Sequence, residues 1–254
     1  MTAFLIRIGT YLFRTRNYVF PAFIAALYLL AAPRSNPFAI AGFAASKEVL
    51  ALILVALGLL VRGIVIGYAY IKRGGLNKQV YAETLVVEGM FSLCRNPLYL
   101  GNMLIYSGVF VMHGAPLVMA LGIGLFFCIY IAIIATEEAY LRNKFGASYV
   151  DYCNTTPRWL PVISRFKTAT QGMNFTLRRV IAKDYSTFAT AAIALSVTKI
   201  YEIIARDNLY LARGDIDLAR YDIVALIGVI IAVLLLTLVI NRAKKRGKFI
   251  EKTS

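Results

Sequence analysis

Histidine is almost absent from this chain: of 254 residues, only His113 is one. That leaves no material for a histidine-based metal centre or a Ser-His-Asp relay. Cysteine is nearly as scarce. Cys94, Cys128 and Cys153 lie far apart without a CxxC spacing, so neither a metal site nor a disulfide framework is expected. Soluble nucleotide-binding signatures are missing too: there is no strand–GxGxxG–helix unit, no Walker loop and no serine nucleophile elbow. The opening stretch MTAFLIRIGTYLFRTRNYVF carries arginines after its first apolar residues and no small-residue cleavage site, so it does not read as a signal peptide. Acidic residues are few, 13 against 28 lysines and arginines, for a net charge of +15. A surplus of that kind can serve nucleic acid. Here the basic residues lie between apolar segments instead of clustering on a soluble domain, so no nucleic-acid partner is expected.

What the chain does have is apolar length. It is 59% hydrophobic with mean hydropathy +0.68, against about 45–50% apolar residues in a soluble domain. A bilayer core takes roughly 20 apolar residues in a helix, and six segments qualify: 18–32, 49–71, 98–112, 116–136, 186–205 and 222–240. The predicted fold is an all-α membrane protein of about six transmembrane helices. The HGAP tetrapeptide between the third and fourth segments reads as a tight turn joining a helical hairpin.

Basic residues then orient the bundle. Arg7, Arg14 and Arg16 precede the first span. Lys72, Arg73, Lys78 and Arg95 lie between the second and third. Arg142, Lys144, Arg158, Arg165, Lys167, Arg178, Arg179 and Lys183 lie between the fourth and fifth, and the tail NRAKKRGK follows the sixth. The alternate connections hold only Arg34, Lys47, Arg206, Arg213 and Arg220. The positive-inside rule places both termini, and the polar stretches 72–97 and 137–185, in the cytosol. Those two stretches flank the hairpin, so a site built from both sees cytosolic solutes on one side and lipid on the other.

The residues with chemical potential cluster in these stretches. In FSLCRNPLYLGN (91–102), Pro97 suits the first turn of a helix and Asn96 is a natural N-cap, which leaves the helix start as an anion-receptive end. Gly101 allows close approach of a backbone or ligand. In TEEAYLRNKFGASYVDYCNTTPRWLP, Glu137 and Glu138 stand where the fourth span leaves the membrane. Charge at that depth calls for a partner. Arg142 is the local candidate for Glu138, and a cationic ligand is the other. Tyr149, Tyr152 and Trp159 offer aromatic faces suited to an adenine ring or a sulfonium. Arg62, about 13 Å inside the second span at 1.5 Å per residue, reads as snorkelling, as pairing with a glutamate, or as an anion site for a lipid head or carboxylate. Lys199 and Glu202, three residues apart on the fifth span, read as a mutually neutralising structural pair. His113 lies in the turn at the other end and is assigned no chemistry.

Together, ETLVVEGMFSLCRNPLYLGN followed by EEAYLRNKFGASYVDYCNTTPRWLP resembles the isoprenylcysteine carboxyl methyltransferase and phospholipid methyltransferase superfamily. The similarity spans 83–161, dividing the chain into N-terminal helices (1–82), the motif core (83–161) and a C-terminal extension (162–254). The resemblance implies S-adenosylmethionine as methyl donor, a lipid or lipidated acceptor taken from the bilayer, and a site at the cytosolic face. Carried over by position, Leu85, Val87, Gly89, Arg95, Asn96, Pro97, Tyr99 and Gly101 line the cofactor. Glu137 and Glu138 meet its amino group or ribose, and Leu141, Tyr149 and Tyr152 pack its adenosine side. Arg158 faces the cofactor carboxylate or the acceptor. Arg62, Glu138 and Arg158 are the residues nearest the chemistry in this scheme. Asn96 and Val87 stand where prenylcysteine enzymes often have His and Thr. The implied activity is most like carboxyl O-methylation of prenylcysteine, with phospholipid head-group methylation, or a non-catalytic membrane relative, as the alternatives.

Overall fold

The computed structural model describes residues 3–36, 43–68, 80, 82–210 and 216–247. Every regular element among them is helical. The order is α1 (Ala3–Leu30), α2 (Phe43–Tyr68), a 3-10 turn at Gly89–Ser92, α3 (Pro97–His113), α4 (Pro116–Phe145), α5 (Ala147–Thr155), a second 3-10 turn, α6 (Phe166–Ala169), α7 (Leu177–Tyr210) and α8 (Ile216–Lys245). Each predicted apolar segment falls within a helix, except that segment one runs two residues past α1 and residues 69–71 of segment two lie outside the described residues. Lys72, Arg73, Lys78 and Arg213, with Lys248 and Lys252 of the tail, lie outside the described residues.

Four helices are long and apolar enough to cross a membrane: Ser46–Tyr68, Pro116–Phe145, Leu177–Arg206 and Tyr221–Lys245. α3 has 17 residues, and α1 carries Arg7, Arg14 and Arg16 among its apolar residues. The helix expected to begin near residue 18 starts at Ala3 and contains Pro21 in its interior. An apolar environment penalises unpaired backbone so heavily that a proline is absorbed within a helix and does not end it.

α3 and α4 form the expected hairpin. Gly114 closes α3 in the left-handed region (φ 76) with its N–H donating to the Phe110 carbonyl, and Pro116 opens α4. α1 packs along α4, α2 along α3, and α7 against α2, α3 and α8. An aromatic core joins the first pair to the hairpin, with Phe20 and Phe126 rings 5.1 Å apart and Tyr106 and Phe126 4.3 Å apart. α2 and α3 touch at backbone distance: a Cβ placed on Gly58 would stand 2.6 Å from the Gly101 carbonyl. Small residues at such crossings replace the hydrophobic drive that lipid removes. α8 sits outermost, with none of its apolar window buried.

This arrangement gives the bundle two polar ends. The N-terminus of α3 and the C-terminal turns of α4 share one end. The C-terminus of α3 and the N-terminal turns of α2 share the other.

Candidate active site

The segment Phe91–Asn96 is held by the segment 152–162, so the two halves of the sequence motif form one surface. The backbone does much of this. Arg95 N–H donates to the Pro157 carbonyl (2.9 Å), and Val162 N–H donates to the Leu93 carbonyl (3.0 Å). Side chains add to it: Cys94 Sγ donates to the Trp159 carbonyl (2.9 Å), and Tyr152 Oη donates to the Phe91 carbonyl (2.7 Å). Gly89 enters this region at φ 60, where a Cβ would lie 2.8 Å from the Met173 Cε. A side chain there is strained by backbone and by contact alike.

Asn96 occupies the N-cap position, but its side chain makes no cap bond. Its Nδ2 donates instead to the Arg158 carbonyl at 3.1 Å. The amide works as a cross-link between the motif halves, and the first turn of α3, opened by the buried Pro97, keeps its anion-receptive character.

Glu138 sits at the centre. Arg158 grips it through Nε–Oε1 (3.0 Å) and Nη2–Oε2 (2.9 Å), a bidentate fork, and Arg95 Nη1 lies 3.3 Å from Oε1. The local Arg142 is not the partner: it lies exposed on α4, and the two arginines come from the loops on either side. Burial alone would pull the Arg95 guanidinium down, but Glu138 first, then Cys153 and Tyr149, hold it above its ordinary value. Arg95 Nη1 also donates to Cys153 Sγ at 2.8 Å, while its buried Nε has no hydrogen-bond partner among the described residues. Burial, then the Glu138 charge, pushes the Tyr149 phenol above its usual range, and burial does the same for Tyr152. The Arg158 guanidinium stands 5.7 Å from the Trp159 ring centroid.

Glu137 behaves differently from its neighbour. It accepts a hydrogen bond from Tyr99 Oη (2.7 Å), and no ion pair engages it among the described residues. Leu141 follows one turn later on α4, half-buried, and Leu85 and Val87 are half-buried on the approach to Gly89.

Arg62 is not free for an outside anion. Its Nε and Nη2 bond both oxygens of Asp184 on α7, its Nη1 donates to Asn102 Oδ1, and Nη2 also reaches Thr187 Oγ1 at 3.2 Å. The carboxylate expected for it belongs to the chain itself. Arg62 lies behind Gly101, where a Cβ would stand 2.6 Å from its Cγ, so Gly101 makes room for a protein side chain. Sequence reasoning missed Asp184, Asn102, Cys153 and the carbonyls of Pro157, Arg158 and Trp159. Asn102 closes the quoted motif and was open to notice. The carbonyls carry no sequence signal.

The phospholipid methyltransferase family model matches residues 46–148, in accord with the resemblance read from the motifs. The chain is similar to the cobalt-zinc-cadmium resistance protein CzcN of Cupriavidus metallidurans, 36% identical over 85 residues, which are 34% of this chain and 39% of that protein. It is also similar to the nickel-cobalt-cadmium resistance protein NccN of Alcaligenes xylosoxydans xylosoxydans, 32% identical over 84 residues, which are 33% of this chain and 39% of that protein. The chain thus spans about two fifths of the length of these curated relatives. No solved structure matches it.

Proposed function

We propose that this chain is an integral-membrane, S-adenosylmethionine-dependent methyltransferase acting on a lipid or lipidated acceptor. Its site faces the cytosol, α1 and α3 join the four candidate spanning helices as spans, and both termini are cytosolic. One observation carries the reading: Arg95 and Arg158, one from each motif half, meet on Glu138, while the adjacent Glu137 keeps a carboxylate bonded only to a tyrosine hydroxyl.

The residues present fit the cofactor. Arg95 Nε is a buried donor without a partner among the described residues, and with the start of α3 it would receive a carboxylate. Glu137 would receive a cationic group, steadied by Tyr99. Tyr149 and Tyr152, with Leu85, Val87, Gly89 and Leu141 around them, would pack the adenosine side. The cofactor supplies a methyl group activated on a sulfonium. Transfer from it is a direct displacement, so the protein's contribution is alignment, which supplies about 7–11 kcal/mol when reacting atoms are held in place. Glu138 aligns the two arginines, and the backbone pairing of 91–96 with 157–162 holds that geometry rigid. Closure against lipid excludes water and strengthens each charge contact.

Between the two acceptor classes, head-group methylation gains support. Arg62, Arg95 and Arg158 all bond the chain's own carboxylates, which leaves them less free for a prenylcysteine carboxylate. Equilibrium binding of S-adenosylhomocysteine to the purified protein tests the cofactor. Lipid mass spectrometry with and without the protein, tracking added methyl groups, tests the acceptor. Absence of binding removes the enzyme reading and favours the non-catalytic relative. Methyl ester on prenylcysteine with unchanged phospholipids reverses the choice of acceptor.

A further inference from the structure

Asp184 lies outside both the motif core and the segment the family model matches, yet it is 1% exposed and bonded to the most deeply set arginine of the bundle. That arginine, Arg62, is 6% exposed and spans three helices. From α2 it takes both carboxylate oxygens of Asp184 on α7 and the Asn102 carbonyl oxygen on α3. The Tyr130 side chain of α4 lies beside Asn102, and its ring is 6.2 Å from the Tyr106 ring. The Tyr130 ring lies 5.4 Å from the Tyr99 ring, and the Tyr99 hydroxyl donates to Glu137. These contacts form one buried polar tract, Asp184–Arg62–Asn102–Tyr130–Tyr99–Glu137. It starts in the C-terminal extension and ends on the carboxylate the site leaves unpaired.

Such a tract is a costly thing to bury. Replacing a buried ion pair with well-packed apolar residues is often neutral or stabilising, so stability alone does not account for it. Its geometry does offer something an apolar packing lacks. Hydrogen bonds fix the Arg62 guanidinium at one end and the Tyr99 hydroxyl on Glu137 at the other, and the packed Tyr130 and Tyr99 rings join the two. The extension also grips the same region from outside: Thr176 N–H and Arg179 Nη1 both donate to the Gly67 carbonyl at the end of α2, and Met173 covers Gly89.

We infer that Asp184 is a positioning residue for the methyltransferase site, acting through Arg62 and Asn102 to set Tyr99 and Glu137, and that α7 is therefore a working part of the site. This rests on the methyltransferase reading above.

The test uses the full chain in detergent, with thermal unfolding and S-adenosylhomocysteine affinity read in parallel. Arg62→Leu/Asp184→Leu removes both charges together, so no lone buried charge remains. The variant is expected to unfold near the wild-type temperature and to bind S-adenosylhomocysteine about tenfold more weakly. Asn102→Ala cuts the tract while leaving the ion pair intact, and the same loss is expected, so the test survives if the double variant fails to fold. A purely structural tract moves the unfolding temperature and leaves affinity alone. Affinity within about twofold of wild type, in a folded double variant or in Asn102→Ala, overturns the inference while the methyltransferase reading stands. No binding by the wild type overturns both.

Discussion

Each end of the bundle has a glutamate held between cations, and the two are built differently. At the end bearing the motif, Glu138 lies between Arg95 and Arg158, with side chains 13%, 15% and 30% exposed. At the far end Glu202 meets Lys47 at 2.8 Å, both fully buried, with Lys199 at 3.2 Å and Arg206 at 3.4 Å beside it. Lys199 also pairs with Glu48. Lys47 donates to the Arg34 carbonyl, and the buried His113 ring sits 4.5 Å from Tyr28, whose hydroxyl bonds Thr198. The far cluster ties α1, α2, α3 and α7 together, with the buried His113 Nε2 left without a hydrogen-bond partner among the described residues. The near cluster leaves an arginine nitrogen and a neighbouring glutamate for something else. One end ties the helices together, and the other is the end where the cofactor is proposed to bind.

The sharpest way to break this contrast is at the sealed end. Glu202→Ala strands the Lys47 charge in a dry pocket, and removing one member of a buried pair typically costs about 3–5 kcal/mol. Unfolding in detergent should register that loss, while S-adenosylhomocysteine affinity of the folded fraction stays unchanged. A fall in affinity alone would erase the distinction between the ends. Gly101→Ala comes next. The new Cβ would press on the Arg62 stem and the Gly58 carbonyl, and such overpacking costs about 1–3 kcal/mol. Both stability and binding should fall, because Gly101 lies where the bundle core meets the site.

At the binding end the balance reverses. Glu138→Gln releases two partly exposed arginines, so stability changes little. Affinity for S-adenosylhomocysteine is expected to drop about tenfold, or about 1.4 kcal/mol, read by calorimetry. A large stability loss with intact affinity would make Glu138 another Glu202. Tyr152→Phe, which deletes the bond to the Phe91 carbonyl, should remove about 0.5–1.5 kcal/mol of stability. The smallest effect is chemical. Burial, opposed by the Asn96 backbone hydrogen bond and the Arg95 charge, keeps the Cys94 thiol above its ordinary pKa. The thiol form therefore persists as pH rises past that ordinary value. Maleimide at mildly alkaline pH should modify the half-buried Cys153 well before Cys94, as peptide mapping would show.

Apolar length made most of the helices visible in sequence, and charge made the motif end visible, but pairing across the bundle was another matter. The segments at 49–71, 116–136 and 222–240 carry enough apolar residues to declare themselves, whereas 186–205, with Lys199 and Glu202, is weaker and reads as spanning on the charge bias. The Glu138 partner did not declare itself. Arg142, one turn away, is the natural reading on a helix, whereas Arg158 arrives only because α5 and the following loop turn back on the end of α4. Asp184 was harder still. The stretch around Lys183 looks like polar connection, so the fifth helix was expected at residue 186. It starts at Leu177 and carries Asp184 into the bundle, where Arg62 neutralises it. Neither residue is tolerable there alone, and single-residue hydropathy sees only the penalty. Lys199 and Glu202 were read as a local pair, and that contact exists, but the stronger hold on Glu202 comes from Lys47 on another helix.

The main-chain pairing of 91–96 with 157–162 has its own consequence. Because its donors and acceptors are peptide groups, the grip between Leu93 and Val162, or Arg95 and Pro157, is indifferent to which side chains stand there. Drift in those side chains leaves it in place, and an alanine scan passes over it in silence. Only a change to the peptide unit itself, proline at residue 95 or 162 or an ester in place of either amide, would open this seam.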